Sequence, residues 1–513
     1  MKEKWLHMQK QGSIIERVLQ SVSSYATRIA LTDHDKKSVL NYSRVGQLME
    51  CYSNNLISVC NNYQRSIENG FVVVQMRPST DAILLQLAVL FCNAIYVPID
   101  PDTPLSYFAL ERLDGIACII TDSENLPHYP GVPVIYVADI CNEDTCNDDE
   151  SYLNEKQSIQ EHSHCIMTSG TTGIPKAISL RQQSVLNQVD AKISILRLNQ
   201  DSVICLSMSV SFVASIWQVF GTLFVGGTIV VLNDECRRSP YDIFKIATVH
   251  EATIMCTTPS VLKAFLALNR GTRKLPLDSL LAIVSTGETL SSVLVRDFYL
   301  EYDITIVNAY GQTECSDDTF HYIVPRNFDF DSNSVIPIGY PIPNIEYCIL
   351  NKDGNVADEG ELFISGICLS DGYLKDDNMT ALKYKAIRAL GNKIAFGTGD
   401  IVERNRNGAI VCNGRVDNQI KLSGYRIDPE MVESHCLAIE GISDTLVLKH
   451  DSSIGAHLVL LYTSEDGCEV DEIQIREHLK NRLPAYMVPE EYRVVDKIDY
   501  NTNGKKIRDS KYG

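Results

Sequence analysis

The sequence predicts an α/β protein: a large N-terminal domain with stacked sheets and a β region, joined by a hinge to a small α+β C-terminal domain. Short apolar strands alternate with helix-like segments over most of the chain, which favours a largely parallel sheet. After about residue 335 this alternation gives way to short strands separated by glycine turns. The length of 513 residues is sufficient for one large domain and one small domain.

The large domain is predicted from a repeated strand-and-helix pattern. The run FVVVQM (71–76) predicts a buried strand, and the apolar-faced segment 83–94 predicts the helix that follows it. The polar, acidic stretch from about 142 to 164 predicts a surface loop. Further strands are predicted at 94–100, 117–122, 203–208, 228–233, 252–257, 280–286 and 304–310.

The C-terminal part of the chain has a different texture. Glycine-punctuated runs at 360–366, 393–403 and 408–415 predict an antiparallel β region. Two apolar runs, at 445–450 and 457–463, and a helix near 471–482 predict the small domain. We expect a hinge at 414–417, which gives an N-terminal core domain at 1–415 and a mobile C-terminal lid domain at 416–513.

The composition excludes several classes of partner. The formal net charge of −19 argues against nucleic acid or an anionic membrane, and no run of about 18 apolar residues predicts a membrane span. The sixteen cysteines form no C-x-x-C pair, and many lie in apolar runs. We therefore expect no zinc site, a reducing cytoplasmic location and, for this architecture, a monomer.

A loop rich in hydroxyls and glycines is the sharpest local signal. Glycines let backbone N–H groups approach an anion, hydroxyls add donors, and lysine supplies a point charge for phosphate. The residue order differs from a Walker A loop, and taken alone the stretch could be a plain surface turn. Its residues are Thr168, Ser169, Gly170, Thr171, Thr172, Gly173, Ile174, Pro175 and Lys176.

Four further segments carry candidate functional groups. Asn308 to Glu314 (NAYGQTE) follows a predicted strand, at the end where open α/β sheets bind ligands. Its aromatic ring could stack on a base and its carboxylate could hold magnesium. Asp400 lies between strands, where it could accept hydrogen bonds from ribose hydroxyls. The segment 414–426 contains the hinge, and Lys505 lies on an Asn-Gly-Lys turn that a mobile domain could deliver. Alone, each could be an ordinary turn.

Taken together, these segments resemble the adenylate-forming superfamily, and within it the amino-acid adenylation domains of nonribosomal peptide synthetases. The resemblance covers nearly the whole chain, and eight motifs follow the family's order. They are YVPIDP (96–101), TSGTTGIPK (168–176), NAYGQTE (308–314), GELFISG (360–366), GTGD (397–400), GRVDNQIKLSGYRI (414–427), LPAYMVP (483–489) and NGK (503–505).

The resemblance implies a role for each matching residue. Lys505 would bridge the substrate carboxylate and the α-phosphate of ATP, and Glu314 would hold Mg²⁺ beside Thr313. Asp417 would be the hinge about which the lid swings, bringing the strand near Gly424 to a thiol tunnel. The implied nucleotide-binding residues are Thr168, Ser169, Gly170, Thr171, Thr172, Gly173, Lys176, Gly287, Asn308, Ala309, Tyr310, Gly311, Asp400 and Arg415.

The chain departs from the family pattern without losing a catalytic group. Gln312 replaces a proline, Ala177 replaces a glycine, and Cys412 stands where an aromatic residue near the ribose is common. Phe396-Gly397 stands where the family has Tyr-Arg. We expect activity to be retained.

The acid pocket departs from the family in an informative way. Val213 stands where the family's aspartate binds an α-ammonium, and a buried ammonium facing valine would lack a counter-charge. Asp317 or Asp318 could instead pair with an ammonium displaced from the α carbon, as in domains that select β-alanine. The implied pocket comprises Val213, Ala214, Trp217, Cys256, Val284, Thr286, Asp317 and Asp318, with Ala309 beside them.

The sequence therefore predicts an acid–thiol ligase that uses ATP and Mg²⁺ to adenylate β-alanine or another small ω-amino acid. The thioester would form on the phosphopantetheine thiol of a carrier protein acting in trans. An aryl or hydroxy acid is the alternative substrate, and coenzyme A is the alternative acceptor. A non-catalytic nucleotide-binding protein is the alternative class, and retention of Lys176, Glu314, Asp400 and Lys505 argues against it.

Overall fold

The computed structural model describes residues 12–34, 38–124, 128–142, 160–168, 175–270, 274–330, 335–451, 456–464, 470–500 and 506–508. In chain order its strands are β1 (Ile29–Asp33), β2 (Ser38–Asn41), β3 (Phe71–Gln75), β4 (Ile95–Ile99), β5 (Ile116–Thr121), β6 (Val134–Tyr136), β7 (His162–Thr168), β8 (Lys176–Arg181), β9 (Val203–Leu206), β10 (Thr228–Val231), β11 (Ile254–Thr257), β12 (Ala282–Ser285), β13 (Thr305–Gln312), β14 (Asp317–Ile323), β15 (Tyr340–Pro341), β16 (Ile345–Leu350), β17 (Glu359–Gly366), β18 (Tyr384–Ile387), β19 (Lys393–Arg404), β20 (Ile410–Arg415), β21 (Ile420–Leu422), β22 (Tyr425–Ile427), β23 (Ile442–Asp451), β24 (Ala456–Ser464) and β25 (Glu491–Val494).

The helices begin at polar caps in several cases, such as Asn41, Ser79 and Ser291, whose side chains accept from backbone N–H groups of the first turn. In chain order the helices are α1 (Ile14–Ser24), α2 (Tyr42–Asn62), α3 (Thr80–Phe91), α4 (Val137–Ile140), α5 (Gln182–Leu196), α6 (Ala214–Phe224), α7 (Asp234–Arg238), α8 (Pro240–Val249), α9 (Pro259–Arg270), α10 (Ser292–Glu301), α11 (Asp377–Lys383), α12 (Pro429–Leu437) and α13 (Glu472–Lys480).

Two largely parallel sheets form the main part of the large domain. One has the order β15-β14-β13-β12-β11-β9-β10-β1-β2, and the other has the order β6-β5-β3-β4-β7-β8. Antiparallel pairs occur at the edges, between β13, β14 and β15, between β1 and β2, and between β7 and β8. Every residue of β3 and β4 is buried, as expected for parallel strands that are covered on both faces.

The two sheets are stacked through a shared core. Apolar side chains of both sheets, such as Leu31 and Ile204 from one and Val72 and Val74 from the other, belong to one cluster with helices α1, α2, α3, α5 and α6. A second cluster covers the outer face of the larger sheet with α8, α9 and α10. The stacked-sheet arrangement predicted for the large domain is therefore confirmed.

The β region is an antiparallel sheet in the order β16-β17-β19-β18, with β20 also paired to β19. The small domain contains the sheet β23-β24-β25 and helices α12 and α13, and the hairpin β21-β22 connects it to β20. Apolar residues of this domain share a cluster with Phe71 and Val73 of the second sheet, so the small domain packs directly on the large one. No helix in the described parts of the chain is long and apolar enough to cross a membrane.

The strand that carries NAYGQTE is longer than the sequence predicts. The prediction ends this strand at Tyr310, whereas β13 continues to Gln312. The antiparallel partner β14 supplies the extra pairing, since Gly311 lies opposite Asp318 and Gln312 lies opposite Asp317. The predicted surface loop at about 142–164 lies mostly outside the described residues, although β7 begins within it at His162.

Candidate active site

The candidate site lies where neighbouring parallel strands end. Cys256 of β11 lies beside Val284 of β12, and Ser285 of β12 lies beside Asn308 of β13. The segments after these strands therefore leave the sheet at the same edge, which is where open α/β sheets bind ligands. Residues that are far apart in the sequence meet there.

A buried polar cluster surrounds Asp400. Its side chain accepts from the Tyr310 hydroxyl at 2.6 Å, from Arg415 Nη1 at 2.7 Å and from Gln312 Nε2 at 3.1 Å. Burial alone would raise the pKa of Asp400, but the cations Lys421 and Arg415 hold that pKa below its ordinary value. The cluster therefore keeps an ionised carboxylate in place.

A cavity beside this cluster has a flat aromatic wall. We call it the second cavity, and the predicted acid pocket lies in the first cavity beside it. The second cavity is lined by Gly287, Asn308, Ala309, Tyr310, Gly311 and Cys412, among others. The Asn308 amide donates to the backbone carbonyls of Ile336 and Pro337, which fixes its orientation. The Lys421 ammonium lies 5.5 Å from the centre of the Tyr310 ring.

Glu314 lies in a buried, cation-rich position. It accepts from the Tyr373 hydroxyl at 2.7 Å and forms an ion pair with Arg426 at 3.0 Å. Burial would raise the pKa of Glu314, but Arg426, Tyr373 and Lys176 together hold that pKa below its ordinary value. Arg426 belongs to β22, so this ion pair joins the C-terminal region to the large domain.

Only part of the predicted phosphate loop can be located. Thr168 ends β7 and Lys176 begins β8, and the two residues are paired in register. Lys176 is buried, its ammonium lies 4.9 Å from the centre of the Tyr373 ring, and burial lowers its pKa. The predicted phosphate-binding residues Ser169, Gly170, Thr171, Thr172 and Gly173 lie outside the described residues, as does Lys505.

Another cavity, which we call the first cavity, contains most of the predicted acid pocket. It is lined by Val213, Ala214, Thr286, Asp317 and Asp318, and by Thr168, Gly287, Gly311, Thr313 and Arg415. Gly287 and Gly311 line the second cavity as well, so the two cavities adjoin.

Four predicted pocket residues do not line this first cavity, and one of them, Ala309, lines the second cavity. Trp217 and Val284 are buried in the core, with 1% and 0% of their surface exposed. Cys256 lines a different, third cavity, together with Met208, Thr258, Ser423 and other residues. Trp217, Val284 and Cys256 belong to the core between the two sheets, because α6 and the strands turn these side chains toward it.

The two acidic residues of the first cavity differ sharply in their partners. Asp318 accepts from Lys192 Nζ at 2.6 Å and from Thr286 Oγ1 at 2.7 Å, so each of its oxygens has a partner. Lys192 and Asp318 are almost completely buried, with 0% and 2% of their side chains exposed. Asp317 is also buried, but its Oδ2 has no hydrogen-bond partner within the described part of the chain.

A loop of the C-terminal region lies at the mouth of the site. Gly424 has φ +84, and a Cβ on Gly287 would lie 3.1 Å from the Gly424 Cα. Gly424 donates its backbone N–H to Glu288 Oε1 at 3.2 Å, and the Tyr425 ring packs edge-on against Phe212. This close approach is available only to residues without a side chain at 287 and 424.

The profile of the AMP-binding enzyme family matches residues 18–374. The chain belongs to that family. The match confirms that this AMP-binding enzyme is a member of the adenylate-forming superfamily, as the motifs predicted.

Curated relatives of the AMP-binding enzyme include two synthases from Bacillus species. It is 30% identical to bacitracin synthase 1 of Bacillus licheniformis over 439 residues, which cover 85% of this chain but only 8% of that synthase. Zwittermicin A synthase ZmaJ of Bacillus cereus is 28% identical, and the match covers 85% of this chain and 83% of ZmaJ. The chain therefore spans a small part of bacitracin synthase 1 and most of ZmaJ.

Solved structures confirm the fold class. NpsA-ThdA, an artificially fused Adenylation-PCP di-domain from Klebsiella oxytoca, matches with a TM-score of 0.81 at 20% identity, covering 94% of this chain and 93% of that one. An o-succinylbenzoate CoA synthetase from Bacillus subtilis matches with a TM-score of 0.79 at 18% identity, covering 96% and 97%. At these identities the likeness concerns the fold alone.

Sequence reasoning missed three side chains of the site in the AMP-binding enzyme. Tyr373 and Arg426 engage Glu314, and Lys192 engages Asp318. A signal for Lys192 was present, because it continues the apolar helical stripe of Val185 and Val189 on α5. A lysine on a buried helix stripe requires a partner, but the sequence does not identify that partner. Asp417, the predicted hinge, is ion-paired with Arg415 at 2.6 Å.

Proposed function

We propose that the chain is an acid–thiol ligase that adenylates a small ω-amino acid, β-alanine being the favoured candidate, and transfers it to the phosphopantetheine thiol of a carrier protein. One observation carries this proposal: a cavity lined by the acids Asp317 and Asp318 adjoins a cavity walled by Tyr310, beside Asp400 and Arg415. Carboxylic acid and nucleotide could therefore meet at the shared wall of Gly287 and Gly311.

The first half-reaction would join these two ligands. A carboxylate oxygen of the acid attacks the α-phosphorus of ATP, and the bond from that phosphorus to the pyrophosphate oxygen breaks. Tyr310 would stack on adenine, Asp400 would hold the ribose hydroxyls, and Lys176 would contact phosphate with the loop that follows Thr168. Lys505 would stabilise the negative charge that develops during the attack, as the family resemblance implies.

Glu314 is the residue that would hold Mg²⁺, with Thr313 beside it. One carboxylate together with substrate phosphates is a ligand set that Mg²⁺ commonly takes, and Glu314 is kept ionised, so the residues fit the ion. When bound, the ion neutralises phosphate charge. Arg426 supplies positive charge to Glu314 in the arrangement described here.

The second half-reaction, transfer of the acyl group to the thiol, would use the domain arrangement in which Arg426 pairs with Glu314. The thiol sulfur attacks the acyl carbon, the bond from that carbon to the AMP oxygen breaks, and the thiol proton is lost to solvent. The third cavity supports this path because it shares Met208, Phe212 and Tyr425 with the first cavity. We propose that residues 416–513 form the lid that moves between half-reactions, with Asp417 as the hinge.

A carrier protein is favoured over free coenzyme A by the charges at the third cavity. Arg237 and Arg238 line this cavity; Arg238 contacts Asp102 at 2.8 Å and Arg237 contacts Asp234 at 3.4 Å. The Arg77 guanidinium, outside the lining, contacts the same two aspartates at 2.7 and 2.9 Å. These guanidiniums are therefore already paired with carboxylates. The phosphates of coenzyme A would have to compete with those aspartates, whereas a phosphopantetheine arm on a carrier brings fewer phosphates.

Pyrophosphate exchange tests the proposed reaction. The purified chain would be assayed with ATP and β-alanine, γ-aminobutyrate, L-alanine, D-alanine or 4-hydroxybenzoate. Exchange with β-alanine well above either alanine supports the proposal, and exchange with the aryl acid alone would overturn the substrate assignment.

A matched pair of lysine variants separates an enzyme from a nucleotide-binding protein. Lys505→Ala should abolish exchange, because the developing charge would lose its counter-ion. Lys497→Ala, at an exposed lysine of the same region, should leave exchange unchanged. Equal activity of both variants and the parent would show that Lys505 lacks the proposed role.

A further inference from the structure

We propose that Lys192 is a specificity-determining residue of the acid pocket: it neutralises Asp318 from behind, so that Asp317 alone recognises the distal amine of the substrate. This inference rests on the proposed function and narrows it to acids that carry one distal cationic group. Lys192 lies on α5, and neither composition nor motif placed it in the site.

The geometry places Lys192 behind the wall of the first cavity. Asp318 lines the cavity, whereas Lys192 is not among the residues that line it, and its side chain has no exposed surface. The ammonium contacts Asp318 Oδ2 at 2.6 Å and lies 5.3 Å from the centre of the Trp217 ring. A ligand in the cavity would therefore meet the Asp318 carboxylate before it met the lysine.

The backbone explains why two consecutive acids face one cavity. Successive residues of a strand normally point to opposite faces, yet Asp317 and Asp318 line the same cavity. The pairing of β13 with β14 has an irregularity between Tyr310 and Gly311, and Asp317 has φ +112. A Cβ on Gly311 would lie 1.9 Å from the Asp317 carbonyl oxygen, so this arrangement needs glycine there.

Asp317 is the acid that remains available. Among the described residues, its Oδ2 is buried without a hydrogen-bond partner, and such an atom is costly unless a ligand or water satisfies it. Burial and the neighbouring Asp318 raise the pKa of Asp317 well above its ordinary value although Lys192 lowers it, so a further cation close to Asp317 would favour its ionised form.

The charges of the cluster define the substrate class. When a bound cation keeps Asp317 ionised, two carboxylates and one ammonium leave one negative charge, and one substrate ammonium balances it. Buried charges require such pairing. A second ammonium on the substrate would have no partner, and a distal carboxylate would meet Asp317 directly. Small acids with a single distal amine are therefore the class that fits.

The test compares ratios of activity within each variant. Pyrophosphate exchange would be measured with β-alanine, with butyrate, in which a methyl group replaces the ammonium, and with succinate, which carries a distal carboxylate. A ratio is independent of the fraction of active enzyme, so partial misfolding cancels. The variants are Asp317→Asn, Asp318→Asn, Lys192→Met, and Lys192→Met combined with Asp318→Asn.

We expect a specific pattern across these variants. Asp317→Asn should lower the β-alanine-to-butyrate ratio by at least about 10-fold, since the ammonium loses its counter-charge. Asp318→Asn should lower it by about 100-fold and raise relative use of succinate, because Lys192 is then uncompensated. The double variant, with both charges removed and the Thr286 bond retained by Asn, should recover the parental ratio.

The double variant is decisive, because a merely structural role does not predict recovery of specificity. The inference would be overturned if Asp318→Asn kept the parental β-alanine-to-butyrate ratio, or if the double variant did not recover it. The proposed function would still stand in that case if the parent exchanges with β-alanine. A parent that exchanges only with acids lacking a distal amine would overturn the proposed substrate class and this inference together.

Discussion

The ion pair between Arg426 and Glu314 predicts that the two half-reactions can be separated by one substitution. Arg426 lies on β22 and Glu314 lies in the turn after β13, with the two charges 3.0 Å apart and Glu314 only 1% exposed. Arg426→Ala would leave a buried carboxylate with the Tyr373 hydroxyl and the charge of Lys176 as its remaining support in this arrangement. The substitution should destabilise the packing of the C-terminal region on the large domain, while the core of each domain stays intact.

The expected free-energy cost of Arg426→Ala follows from the burial of Glu314. Removing one partner of a buried ion pair costs about 3–5 kcal/mol. The lower end applies, because Tyr373 still donates to Glu314 and because the proposed lid would move away from the large domain between half-reactions. About 3 kcal/mol corresponds to roughly 100-fold in the population of this arrangement.

Both half-reactions would be measured on the same preparation. Under the proposed mechanism pyrophosphate exchange does not need this arrangement, so it should stay within about 3-fold of the parent, which is under 1 kcal/mol. Transfer of the acyl group to a carrier thiol should fall by about 100-fold. Arg426→Lys should recover part of the transfer rate, and Arg406→Ala, at an exposed arginine, serves as the control. Equal losses in both half-reactions, or unchanged transfer, would refute this reasoning.

Three further substitutions follow from the same geometry. Asp400→Asn should raise the KM for ATP by about 10- to 100-fold in pyrophosphate exchange, because hydrogen bonds to a charged group contribute about 1.5–3 kcal/mol; an unchanged KM would exclude the ribose role. Gly424→Val should block acyl transfer more than exchange, since even a Cβ would lie 2.9 Å from Thr258 Cγ2; parallel losses would contradict it. Burial lowers the pKa of His164 to about 3 from 6.5, so the unfolded chain binds the proton first and stability falls as pH drops between these values, by up to about 1.4 kcal/mol per pH unit. In urea unfolding, the free energy of unfolding at pH 7 should exceed that at pH 5 by less in His164→Gln than in the parent. An equal pH difference in both proteins would refute the lowered pKa of His164.

The secondary structure was predictable where the local pattern is strong. The buried strand β3 and the glycine-bounded strand β17 lie where the sequence predicts them, at Phe71–Gln75 and Glu359–Gly366. Each of these strands is specified by consecutive residues. The continuation of β13 to Gln312 was not predictable in this way, because β14 supplies the partner for its last residues.

In the candidate site, too, the residues within motifs were predictable and their distant partners were not. Tyr310 and Asp400 were both expected near a nucleotide, and the structure joins them by a 2.6 Å hydrogen bond. Asp318 was expected to be an available counter-charge, but it pairs with Lys192, which lies 126 residues earlier in the chain. A carboxylate can be recognised from its motif, whereas its partner depends on which helix packs behind the strand.

The family of this chain and the order of its motifs can be read from the amino-acid sequence, because the glycines, hydroxyls and charged residues of each motif act over a few neighbouring positions. The distribution of charge in the site, by contrast, depends on how the elements pack. Lys192 reaches Asp318 through the packing of α5 against the sheet, and Arg426 reaches Glu314 through the placement of the C-terminal hairpin. Desolvation makes the pairing of these buried charges energetically decisive, and desolvation exists only once the elements have packed together.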